Sequence, residues 1–142
     1  MRVVPDTAIL VRMNAKASGP ARRLLERIAS GPHELILSPF LLEETERVLY
    51  YPRMQALYKL SPDEIREHIA ETVSVARIVD PVVRGPVVLN DPQDDPVIYT
   101  AVDGRAEVLC TLDRDFYEPG VIEFCRKRGI SVMRDVELLR SL

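Results

Sequence analysis

Acidic residues in this chain gather where apolar runs end. Asp6 closes "RVVPD", Thr111, Asp113 and Asp115 follow "EVLC", and Asp94 and Asp95 open the run "DDPVIYTAV". Each has a structural reading, as a helix cap or a turn former. The stretch "LNDPQDDPVIYTAV" nevertheless carries more acids than capping requires. Pro96 is tolerated only in a first helical turn, so a helix must start at Asp94 or Asp95. One of them is expected to cap it, and Asp91 can cap or turn the loop before it. Val97, Ile98 and Ala101 share a helix face with Asp94, which leaves Asp94 as the acid without a local task.

Glu44 is a further candidate. On a helical wheel Leu41, Leu42, Thr45, Val48 and Leu49 form the buried face. Glu43 points away and is expected to pair with Arg47, whereas Glu44 borders the apolar side with no base at helical spacing to meet it. A carboxylate held inward needs a partner. Four carboxylates about 5 Å apart, at an effective dielectric near 20, repel by roughly 3 kcal/mol per pair. The sum, on the order of 20 kcal/mol, exceeds the roughly 5–15 kcal/mol that holds a domain together. Either some are protonated or a cation sits among them. Oxygen ligands without His or Cys select Mg²⁺ or Mn²⁺ over zinc.

Elements must bring these acids together. Apolar runs at 2–6, 34–38, 77–80, 107–111 and 130–133 read as strands, each without a polar alternate. Between them Ser18 and Pro20 start a helix that Gly31 ends, and Ser38 and Pro39 open one that Pro52 stops. Ser61 and Glu64 have capping-box spacing, another helix starts near Asp95, and 121–129 and the terminus are helical. Residues 81–95 read as a loop. The alternation predicts an α/β fold with a parallel sheet covered on both faces, in one domain over 1–142. Ligands in such folds gather beyond the carboxyl ends of the strands, which is where the acids lie.

Composition bounds the rest. The chain has 142 residues and a net charge of −3, which argues against gripping nucleic acid by bulk electrostatics. The segment from Arg12 to Arg23 is the exception: Arg12, Lys16, Arg22 and Arg23 with no acid, either a phosphate-contacting patch or a solvated helix face. No signal peptide or membrane-spanning run is read. Cys110 and Cys125 lack metal-pair spacing and read as buried free thiols in a reducing cytosol. The glycines form neither a P-loop nor a dinucleotide fingerprint, and His33 and His68 are solitary. A phosphatase or receiver domain needs "DxDxT" or a strand-end Lys, and Asp6 is followed by Thr7-Ala8-Ile9.

"VVPDTAILV", "LSPFLLEETERVL", "DPQDDPVIYTAV" and "AEVLCTLDRDF" together resemble the PIN-domain ribonucleases, in particular VapC-like toxins of toxin–antitoxin systems. The resemblance spans nearly the whole chain. It implies a three-layer α/β/α fold around a central, mostly parallel five-stranded sheet. It also implies metal-dependent hydrolysis of single-stranded RNA in the cytoplasm, an antitoxin partner, and a homodimer or higher oligomer. By position it assigns Mg²⁺ or Mn²⁺ to Asp6, Glu44, Asp94 and Asp113, with Asp115 the second acid of the "TxDxD" turn. Thr7 and Thr111 become supporting polar residues. Two departures stand out. The family's "DTN" is Asp6-Thr7-Ala8 here, and its Gly after Thr111 is Leu112. Loss of an orienting Asn typically costs about 10–100-fold in metal affinity or activity. A catalytically silent PIN-fold module that binds RNA or a protein is the competing class, and Ala8 is the feature that favours it.

Overall fold

The computed structural model describes residues 1–142. Its centre is five short strands: β1 (Arg2–Pro5), β2 (Glu34–Leu37), β3 (Ala76–Ile78), β4 (Val108–Cys110) and β5 (Ser131–Met133). They pair in the order β3-β2-β1-β4-β5, and every pair is parallel. The inner strands show why. Val3 and Val4, Leu35 to Leu37, and Val108 to Cys110 are buried without interruption. Successive strand residues point to opposite faces, so consecutive burial means that both faces are covered. The result is the expected three-layer arrangement. β3 and β5 are the edges and carry partly buried and exposed residues instead.

Eight helices flank the sheet: α1 (Thr7–Arg12), α2 (Pro20–Ser30), α3 (Pro39–Leu49), α4 (Pro52–Tyr58), α5 (Pro62–Ser74), α6 (Asp95–Asp103), α7 (Pro119–Arg126) and α8 (Asp135–Ser141). Ser38 caps α3 through the Leu41 amide at 3.4 Å. The capping box of α5 is complete, with Ser61 and Glu64 each accepting the other's backbone N–H. One helix, α4, escaped the sequence reading, and α1 entered it only as an unbounded helix that Asp6 caps. α1 starts immediately after Asp6, too short to show a period. Pro52 does not merely stop α3: it occupies the first turn of α4, where its missing N–H costs nothing. Lys59, left-handed at φ 53°, then ends α4. Gly19, not Ser18, is the cap residue of α2, with no side-chain bond.

Cys110 and Cys125 are free and buried. No helix is long and apolar enough to cross a membrane. The chain order of the strands reverses across the β1–β4 pair, so the carboxyl ends of these two neighbours form the crevice where such sheets bind ligands.

Candidate active site

Asp6 leaves β1 at this crevice and does two structural jobs. One carboxylate oxygen caps α1 by accepting the Ile9 amide at 3.0 Å, and the other accepts the Thr111 hydroxyl. The same Thr111 oxygen accepts the Asp113 amide at 3.0 Å. A single hydroxyl thus ties the end of β1 to the turn after β4. Asp6 is only 5% exposed. Burial raises its pKa to about 6, against the hydrogen bonds from Thr111 and Ile9, which lower it. Ile9 and Thr111 thus hold both oxygens of Asp6, and Ala8, in place of the family's Asn, is exposed.

Glu44 comes from α3, which packs on α1. The Thr7 hydroxyl donates to one of its oxygens, and Arg47 lies 3.6 Å from the other. This corrects the expectation that Glu44 has no base on its side and that Arg47 serves Glu43. Three residues on, about one helical turn, Arg47 is in reach of Glu44.

Asp94 and Asp95 divide their roles differently from expectation, since neither caps α6 with its side chain. Asp95 is 5% exposed and accepts the backbone amides of Val87 and Val88 at 3.1 and 2.8 Å, pinning the preceding loop to the helix. Asp91 caps a single 3-10 turn (Pro92–Asp94) through the Gln93 amide at 3.2 Å. Asp94 makes no side-chain cap bond, and its Oδ2 is buried without any hydrogen-bond partner. Burial raises its pKa to about 7, with further contributions from Asp91, Asp113, Glu44 and Asp6.

Asp6, Glu44, Asp94 and Asp113 line one cleft of about 230 Å³, with Thr7, Ala8 and Val48 on its walls. Asp115 is not among the lining residues. Its carboxylate lies with those of Asp91 and Asp94, all within 4.8 Å of one another. Asp94 therefore belongs to both groups. Asp91 is the acid whose position sequence reasoning underrated: the turn at Pro92 carries it three residues back onto Asp94.

The donors suit a hard divalent cation. They are all carboxylate oxygens, and a buried, unpartnered oxygen of Asp94 is among them. His68 is turned toward the Leu10 carbonyl at 2.8 Å. The nearby Cys110 thiol is pushed far up by burial, so no thiolate competes.

The four bases of residues 12–23 do not form one free patch. Arg22 is bound to Glu71 at 2.7 Å, to Glu26 at 3.3 Å and to the Met13 carbonyl at 2.9 Å, which makes it a structural strut. Lys16 meets the Lys59 carbonyl and Glu64 at 2.9 and 3.3 Å. Arg12 and Arg23 are exposed, and the charge of Arg12 is felt at Asp6, whose pKa it lowers.

Comparison with known proteins agrees with this fold. None of the curated proteins matches the chain. Among solved structures, the crystal structure of VapBC2 from Rickettsia felis bound to a DNA fragment from their promoter is similar in fold. The match covers 94% of this chain and 98% of that one, with a TM-score of 0.59 and 14% identity. The sequence profile of the PIN domain matches residues 2–115, a span that contains all four cleft acids. The chain belongs to the PIN domain family.

Proposed function

We propose that this protein is a Mg²⁺- or Mn²⁺-dependent endoribonuclease that cleaves single-stranded RNA as the toxin of a toxin–antitoxin pair. The supporting observation is the acid cleft, in which an unpartnered, buried Asp94 oxygen faces charge from Asp6, Glu44 and Asp113. Asp6 and Asp94 would be the principal metal ligands, and Glu44 and Asp113 would hold a second ion or orient the attacking water. Asp115, with Asp91, extends the acidic rim beside Asp94. A bound divalent ion supplies Lewis-acid activation of water and stabilises the leaving oxygen.

The chain's own residues prepare that chemistry. Thr111 fixes Asp6 and the backbone of Asp113 together, and Thr7 fixes Glu44. Burial keeps Asp6 and Asp94 ready to release a proton near neutral pH when a cation arrives. Arg12, Lys16 and Arg23 would meet backbone phosphates, with Arg22 holding the segment in place. The reading takes residues 1–142 as one catalytic domain that works in the cytoplasm, with an antitoxin partner and self-association.

Wild type should cleave single-stranded RNA in Mn²⁺, and EDTA or Asp6→Ala should abolish cleavage. Activity that survives chelation overturns the metal mechanism. Metal binding without cleavage would instead favour the silent, partner-binding class that Ala8 suggests.

A further inference from the structure

Three clefts lie end to end across one face of the molecule. The acid cleft shares Ala8 and Val48 with a neighbouring hollow of about 300 Å³. That hollow contains no acid; Tyr51, Tyr58, Arg12 and Arg53 are among its lining residues. It shares Arg12, Leu57 and Tyr58 with a third cleft of about 450 Å³, which reaches Lys16.

Folding does not account for what this trough exposes. Tyr51 is 47% exposed and Leu57 65%, side by side with two arginines in the lining of one hollow. Tyr51 stands at the cap position of α4 but makes no capping bond. Arg12 and Arg53 are exposed and enter no ion pair. Aromatic faces with free guanidiniums at intervals match a single nucleic-acid strand: bases stack on the rings, and cations follow the backbone. An apolar protein helix would also cover Tyr51 and Leu57, but it would leave two guanidiniums at the rim without a counter-charge.

We propose that this trough is the path of the RNA strand away from the acid cleft. One base is held in the hollow against Tyr51 and Tyr58, and Arg12 and Arg53 contact the adjoining phosphates. The small side chain of Ala8, on the wall common to the first two clefts, leaves the passage between them open. The proposal rests on the nuclease reading for the strand's starting point, and its test separates the two.

Binding of a labelled oligouridine to the full chain is measured by fluorescence anisotropy in EDTA, and cleavage of the same RNA is measured in Mn²⁺. Tyr51→Ala should weaken binding about tenfold, the loss of one stacking contact, whereas Tyr51→Phe should bind as wild type. Arg53→Gln should reduce the log–log salt slope by about 0.7, one phosphate contact on a single strand. Both sites are exposed, so parallel melts should be unchanged. Cleavage and binding that are indifferent to Tyr51→Ala and Arg53→Gln overturn the trough and leave the nuclease reading standing. Binding that falls as described, in a protein that cleaves nothing in Mn²⁺, supports the trough and sinks the nuclease. RNA binding unaltered by variants that lose a protein partner overturns the proposal in favour of a protein-docking face.

Discussion

At the scale of single residues, Asp94 carries the account. Its ordinary pKa of 3.8 is raised to about 7, by burial first and then by the neighbouring acids. The folded state therefore binds more protons than the unfolded chain between about pH 4 and pH 7. The contribution of Asp94 to stability in EDTA must fall as pH rises through that window and level off above it. Asp6, raised to about 6, acts in the same direction over a narrower range. His68, lowered by burial, acts with the opposite sign below its ordinary value of 6.5. Subtracting one protein from another removes these shared effects. Asp94→Asn should exceed wild type in stability by about 1–3 kcal/mol at about pH 8, discounted for solvent screening at a half-exposed group. Near pH 4 the two should coincide. Denaturant unfolding across this range measures it, and equal stabilities at the upper end would show that neither burial nor neighbouring charge penalises the Asp94 carboxylate. The sequence singled out Asp94 because its stretch carries more acids than capping needs, Asp6 and Asp113 because they follow strands, and Glu44 because it borders an apolar helix face. It missed Arg47 as the partner of Glu44 because i+3 and i+4 partners are both in reach on a helix.

At the scale of elements, the strands and long helices were legible because burial on both faces leaves continuous apolar runs. α4 was not, and α1 was read without bounds, since fewer than two turns of helix give no repeat that stands out from its surroundings. The seating of α6, which delivers Asp94, was equally invisible in sequence. It depends on Gly104, where a Cβ would come within 2.6 Å of Ile36 Cγ2 and 2.7 Å of the Thr100 carbonyl. Gly104→Ala should therefore destabilise the protein by about 1–3 kcal/mol, the usual cost of overpacking. Thermal melts check this. An unchanged midpoint would mean that α6 can lift off β2 at no cost, and with it the geometry of Asp94.

At the scale of the whole molecule, the acid cleft is where separate parts of the fold meet. Asp6 follows β1, Glu44 rides on α3, Asp94 precedes α6 and Asp113 follows β4. No sequence window shows such a meeting; its legibility came from the order of the four motifs and the crevice rule for parallel sheets. A cation held by all four parts stabilises the fold as a unit, because the unfolded chain cannot assemble the site. The direct test is a pair of thermal melts, wild type and Asp94→Asn, each in EDTA and in Mn²⁺. Wild type should gain stability with Mn²⁺ by mass action, about 2.7 kcal/mol at a hundredfold excess over Kd, and the variant should gain much less. Asn can still occupy the start of α6, so a difference cannot come from a lost cap. Melting curves of the two proteins that coincide both with and without Mn²⁺ would contradict the metal site.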